Sequence, residues 1–150
     1  MEAAAAYLHY FSMMLLAGLL LSELALCTRD LQPPQLQLLA RVDTLYLAAA
    51  LLVMASGLAR LLLAAKGASF YFMNPMFYIK VTLFFAIALV SIMPTLQFRR
   101  WNRALELGES RILRNQDIDS VRRYLTLEAA LLACIPLAAV MLSRGIGTQH

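Results

Sequence analysis

The chain divides into four apolar stretches, each long enough to cross a bilayer, separated by short polar or aromatic connectors. They are read at residues 3–27, 36–65, 75–98 and 121–143. A helical span needs about 20 apolar residues, and in hydrocarbon a backbone must satisfy its own hydrogen bonds. The expectation is therefore all-α: a four-helix transmembrane bundle, forming one membrane domain over residues 1–150. Composition agrees. The chain is 61% hydrophobic and 15% charged, with mean hydropathy +0.69, where a soluble domain carries about 25% charged residues. Nothing in the chain points to nucleic acid.

The first stretch is expected to be retained as a helix. Met1-Glu2 supplies no basic leader, residues 3–27 exceed the apolar core of a signal peptide, and Leu26 is too large for the position before a lipoprotein cysteine. Pro33-Pro34 falls in the connector at residues 28–35 and is expected to bar helix continuation there. The second connector is aromatic (Phe70-Tyr71-Phe72), as suits headgroup depth. Asn74-Pro75 reads as N-cap and first helical residue of span three. Pro94 is expected to kink or end that span, and residues 99–120 to form the one sizeable polar connector.

Basic residues set the orientation. Connectors one and three, with the adjoining helix ends, hold nine (Arg29, Arg41, Arg99, Arg100, Arg103, Arg111, Arg114, Arg122 and Arg123), and the opposite side holds three (Arg60, Lys66 and Arg144). This asymmetry places both connectors in the cytoplasm and both termini on the non-cytoplasmic side, with the protein a multi-pass component of the bacterial inner membrane.

Lys80 is the residue that most resists a bland reading. It sits inside an otherwise apolar span, where an isolated charge costs about 2.5 kcal/mol or more, so it calls for a partner or a task. Mapping the remaining ionisable groups by depth gives two layers. Glu23, Arg41, Asp43 and Glu128 belong to a cytoplasmic layer. His9, Arg60 and Lys80 belong to an outer one that has no carboxylate of its own. His9, Leu16 and Glu23 recur at sevens and share one face, with His9 and Glu23 separated by roughly 21 Å along the axis. Asp43, Ala50, Gly57 and Arg60 share a face of span two, where Gly57 permits close approach of a neighbouring backbone.

Each layer admits two readings. In the cytoplasmic layer, Glu23 and Glu128 either pair with Arg41 to hold helices together or form a proton entry route. In the outer layer, His9 either hydrogen-bonds a neighbouring helix or ligates a haem iron, with Arg60 or Lys80 on the propionates. Covalent haem is disfavoured because no C-x-x-C-H motif occurs, and Cys27 and Cys134 lie at different depths, which argues against a disulfide. The eight methionines lack copper-motif spacing and read as packing.

Four segments carry a family likeness: Arg41-Val42-Asp43-Thr44-Leu45-Tyr46, Lys66-Gly67-Ala68-Ser69-Phe70-Tyr71, Asn74-Pro75-Met76-Phe77-Tyr78-Ile79-Lys80 and Pro94-Thr95-Leu96-Gln97-Phe98. They resemble a family of bacterial membrane proteins, domain-of-unknown-function family 2214, along nearly the whole chain. More distantly, the layout is similar to HemJ-type protoporphyrinogen oxidases, four-helix membrane proteins that bind b-type haem, and to CopD-type copper-resistance membrane proteins. In the HemJ group a histidine early in span one and a lysine early in span three form the functional pair, and His9 and Lys80 occupy the matching places. The proline of span four departs from that pattern: Pro136 follows Glu128 by eight residues rather than two.

The resemblance implies a haem b-dependent membrane oxidoreductase. His9 is then the metal ligand, His9, Arg60 and Lys80 the cofactor-binding residues, and Lys80 and Glu128 the proton-moving, catalytic ones. The implied partners are the lipid bilayer, a porphyrin or a quinone, and a second copy of the chain in a homodimer. The alternative is a non-enzymatic transporter or accessory subunit for copper or a small anion.

Overall fold

The computed structural model describes residues 2–63, 72–73, 75–108 and 115–143. Four long helices account for nearly all of them: α1 (Glu2–Leu26), α2 (Pro33–Leu62), α3 (Pro75–Glu106) and α4 (Asn115–Ser143). Among the described residues, the segments Ala3–Leu26, Pro33–Leu62 and Phe77–Glu106 are long and apolar enough to cross a membrane.

The helices run up and down in a ring, α1 against α2, α2 against α3, α3 against α4 and α4 against α1. The α1–α2 and α3–α4 contacts are the extensive ones, so the bundle is two hairpins laid side by side. The pattern that produces this is a seam of three- and four-residue steps. It is seen in Ser12, Leu16, Leu20, Glu23 and Cys27 of α1, and in Leu36, Leu39, Asp43, Tyr46, Ala49, Val53 and Ser56 of α2. Phe98 and Trp101 of α3 meet Ile118, Val121 and Leu125 of α4 in the same core. The opposite faces are apolar yet bare: Met14 is 75% exposed, Leu89 68% and Leu137 64%. A bundle with this much uncovered hydrocarbon surface is built for lipid.

Two expected boundaries are revised. Pro33-Pro34 opens α2 rather than lying in the loop before it, because the first helical turn needs no backbone N–H from those positions. Gln32 and Gln35 complete the start with a reciprocal capping box. Pro94 does not end α3. The helix continues to Glu106, the fully buried Pro94 ring leaves only the Val90 carbonyl without its helical donor, and the residues expected as connector from Arg99 onward begin as helix. At about 1.5 Å per residue α3 is roughly 48 Å long, well beyond a hydrocarbon core of about 30 Å, so its arginine-bearing end projects from the membrane. Asn74, the expected N-cap, lies outside the described residues.

The end of the bundle at the α1–α2 connection is closed by arginines. Arg122 donates to the carbonyls of Leu24 and Cys27, satisfying the C-terminal turn of α1 where a cation also complements the helix dipole. Arg29 makes a two-pronged pair with Asp119, Nε to Oδ1 at 3.0 Å and Nη2 to Oδ2 at 2.7 Å. Both cysteines are free, Cys27 buried and Cys134 exposed, as their depths imply.

Candidate functional site

The outer layer is assembled from α1, α2 and α3. His9 lies half-buried against α2, its Nδ1 3.0 Å from Ser56 Oγ. The Ser56 hydroxyl is itself placed to donate to the Val53 carbonyl at 3.1 Å. A hydroxyl has one proton. The bond between Nδ1 and Ser56 thus runs in the direction that the ring's tautomer sets. Ser12, one turn beyond His9, donates to the His9 carbonyl at 2.9 Å and lies 3.3 Å from Ser56 Oγ. Gly57 is what lets the ring in, since a Cβ there would stand 3.2 Å from His9 Cε1 and 3.6 Å from Nδ1. The expected close approach at Gly57 is thus made by an imidazole rather than by a backbone.

Arg60 is one turn further along α2, with its guanidinium carbon 4.9 Å from the Tyr10 ring centroid. That stacking fixes the cation beside α1 without neutralising it. Lys80 is partly buried on α3 and lies within electrostatic reach of both Arg60 and His9. Among the described residues neither Arg60 nor Lys80 makes an ion pair. The layer therefore brings an imidazole and two cations together, and no carboxylate among the described residues is paired with either cation.

Glu128 stands apart from this group. It is fully buried in α4, and its Oε2 accepts the Tyr46 hydroxyl at 3.3 Å. Glu23 and Asp43, 1% and 2% exposed, complete an acidic cluster with it. Asp43 accepts a 2.6 Å hydrogen bond from Thr95. Glu23 Oε1 and Glu128 Oε1 are buried without a hydrogen-bond partner among the described residues. Lys80 and Glu128 are thus on different layers, and no contact joins them.

The pairing of Glu23 and Glu128 with Arg41 is not observed. Arg41 is exposed. Two residues from Asp43 on a helix, it points to nearly the opposite face; Glu128 accepts from Tyr46 instead, and Asp43 from Thr95. Tyr46, Thr95, Ser12 and Ser56 were not singled out by sequence reasoning. Ser12 and Tyr46 carried a signal, each three residues along its helix from His9 or Asp43, while Ser56 and Thr95 had no such spacing, and uncharged hydroxyls in an apolar span attract less notice than charges.

Among the described residues, no group of three or more His, Cys, Asp or Glu side chains is set to hold a metal ion. A bare copper or zinc site needs several such ligands. A metal held in a macrocycle needs only one such ligand, and the His9 imidazole beside Arg60 and Lys80, neither of them in an ion pair among the described residues, fits that need.

No curated protein and no solved structure gives a significant match to the chain. A family model described as "predicted membrane protein (DUF2214)" matches residues 1–147. With almost every residue inside that match, and a lipid-facing helical bundle as its fold, the chain belongs to the DUF2214 family of membrane proteins.

Proposed function

We propose that the chain is a b-type haem-binding, redox-active protein of the bacterial inner membrane, similar in activity to HemJ-type protoporphyrinogen oxidases. The observation that carries the reading is the hydrogen bond between His9 Nδ1 and Ser56 Oγ, which ties the imidazole to α2 through one nitrogen and leaves the other as the ligand for iron. Metal-ligating histidines characteristically donate their other ring N–H to such an oxygen, which sets the tautomer and orientation. His9 would hold the iron, and Arg60 and Lys80 would bind the porphyrin carboxylates by charge-assisted hydrogen bonds. A haem bound there supplies one-electron chemistry. The protein residues supply the rest: Ser56 and Ser12 orient the ring, Gly57 makes space for it, and Tyr10 holds Arg60 in place. Lys80 donates or accepts a proton near the porphyrin edge, and Glu128, on the other layer, exchanges protons with the cytoplasmic side. A porphyrinogen or a quinone is the partner for the electrons. A bundle with one described imidazole is also compatible with a homodimer, in which a second copy would supply a further ligand.

The test is spectroscopic. The protein is expressed with ample haem, purified in mild detergent and examined in oxidised and reduced states, as wild type, His9→Ala and Ser56→Ala. The reading expects a Soret band with sharp reduced bands, absent in His9→Ala and weakened in Ser56→Ala. A preparation free of porphyrin overturns it.

One observation favours a second reading. The two unpartnered buried oxygens of Glu23 and Glu128 are suited to taking up protons, as in a carrier that moves a small anion together with a proton. Anion uptake into proteoliposomes that persists in Glu23→Gln and Glu128→Gln variants would exclude that role.

A further inference from the structure

At the cytoplasmic end of the bundle, on the side away from His9, α2 and α3 part to leave an open groove of about 850 Å³. The contact between these two helices is much narrower than those within either hairpin. Arg41 lines the groove from α2, and Arg99 and Arg103 line it from α3. Arg99 and Arg103 are one turn apart, so their like charges share a face and repel each other. Among the described residues none of the three makes an ion pair, although all are exposed and Arg99 lies within electrostatic reach of the buried Asp43. The one carboxylate on the groove, Glu106, sits at its rim and accepts a 2.8 Å hydrogen bond from Asn102. Three cations against one acid leave a net positive cleft.

We propose that this groove binds a phosphate-bearing anion, with Arg41, Arg99 and Arg103 taking its oxygens. Three guanidinium groups converging from two helices suit the tetrahedral, multi-oxygen shape of a phosphate, because each planar fork donates two parallel hydrogen bonds. Gln37 and Asn102 add amide groups to the same lining. The membrane-ward wall is apolar, with Leu45 57% exposed beside the cleft, as suits a headgroup whose glycerol and chains continue into lipid. Orientation points the same way. The groove lies on the side that holds nine of the chain's basic residues, which is the leaflet that carries anionic lipid. A soluble phosphate in the cytoplasm would reach the same three arginines. The inference stands independently of the outer layer.

The experiment uses the full chain, purified and delipidated in a neutral detergent, with thermal unfolding as the readout. Phosphatidylglycerol is compared with phosphatidylcholine in mixed micelles, and inorganic phosphate or pyrophosphate with chloride at equal ionic strength. Wild type is expected to be stabilised by phosphatidylglycerol and not by phosphatidylcholine, saturably. Affinity should fall roughly tenfold or more for each arginine removed in the series Arg103→Gln, Arg99→Gln/Arg103→Gln and the triple variant with Arg41→Gln. Arg100→Gln/Arg123→Gln, which removes two exposed arginines outside the groove, should bind as wild type. Saturable stabilisation by pyrophosphate alone, lost in the same variants, would identify a soluble phosphate as the ligand. If neither source stabilises wild type, or if the control pair loses binding as fully as the groove variants do, the groove is not an anion site. Should the triple variant fail to fold, Arg103→Gln carries the comparison, because Arg103 is exposed in the projecting last turn of α3.

Discussion

Glu128 should cost the fold more than it returns, and removing it together with Tyr46 Oη should make the bundle more stable. Glu128 is 0% exposed; one of its oxygens has no partner and the other accepts a long 3.3 Å bond from Tyr46, itself 2% exposed. Exchanging such a buried polar pair for apolar groups of similar volume is neutral or stabilising by about 1–4 kcal/mol. Glu128→Leu alone strands the tyrosine hydroxyl, a cost of about 1–3 kcal/mol that offsets most of the gain. Tyr46→Phe alone strands the second carboxyl oxygen and should destabilise by a similar amount, about 1–3 kcal/mol. The double variant carries neither penalty. It should exceed both singles, with a coupling of about 1–3 kcal/mol between the sites.

The assay is supplied by the protein. Cys27 is 0% exposed and Cys134 is exposed. In a Cys134→Ser background a fluorogenic thiol reagent therefore reports unfolding through Cys27 alone. Each kcal/mol should move the midpoint by about 2–4 °C for a chain of this size. A double variant that melts below the Glu128→Leu single would refute the reasoning, because the polar pair would then be a net stabiliser. A double variant that is hardier but inactive would show that the acid is kept for what it does.

Other outcomes follow from the same geometry. Gly57→Val should destabilise by about 1–3 kcal/mol in the Cys27 assay, since it crowds an imidazole already 3.2 Å from an added Cβ. Gly57→Ala should come out near neutral, because a helix-propensity gain of about 1 kcal/mol offsets a smaller clash. Ser56→Ala, in a chain that retains haem, should weaken haem affinity roughly 10- to 100-fold in a titration, by loosening His9. Asp119, in the first turns of α4, is held below the usual carboxylate range chiefly by its hydrogen bond from Arg29. Its stabilising contribution is therefore present above the ordinary aspartate range and fades as pH falls through the depressed value, so wild type and Arg29→Gln should converge in acid. The pair is exposed, which keeps the difference small. Finally, Arg100→Cys in a chain lacking Cys134 should react with an impermeant maleimide only when the cytoplasmic face is open to it. Labelling from the opposite face of sealed vesicles would reverse the assigned orientation.

The helices were legible because lipid imposes a length and an apolar content that few other folds demand, and residues such as Leu16, Leu20 and Leu39 repeat on a seam that needs no tertiary knowledge to see. Depth was legible too, since counting along a helix separates His9 from Glu23. Azimuth was harder. Arg41 and Asp43 are neighbours in sequence and at similar depth, yet they face opposite ways, one into the groove and one into the core. Only the packing of α3 against α2 settles which. Prolines misled in the same manner: Pro33 and Pro94 signal a break on local grounds, but one is an ordinary first helical residue and the other is carried through by a long, well-packed helix.

The division into two hairpins has a consequence for how the protein is made. Glu23 and Asp43 travel in the first hairpin and Glu128 in the second, while Thr95 and Tyr46, which receive two of these acids, lie on the opposite hairpin in each case. A newly inserted hairpin alone would hold its acids against hydrocarbon with no partner in place. Only docking of the second half, in the correct register, turns these exposed liabilities into an interior. A mispaired second half would leave these acids facing lipid, so the same hydrogen bonds that join the halves also set their register.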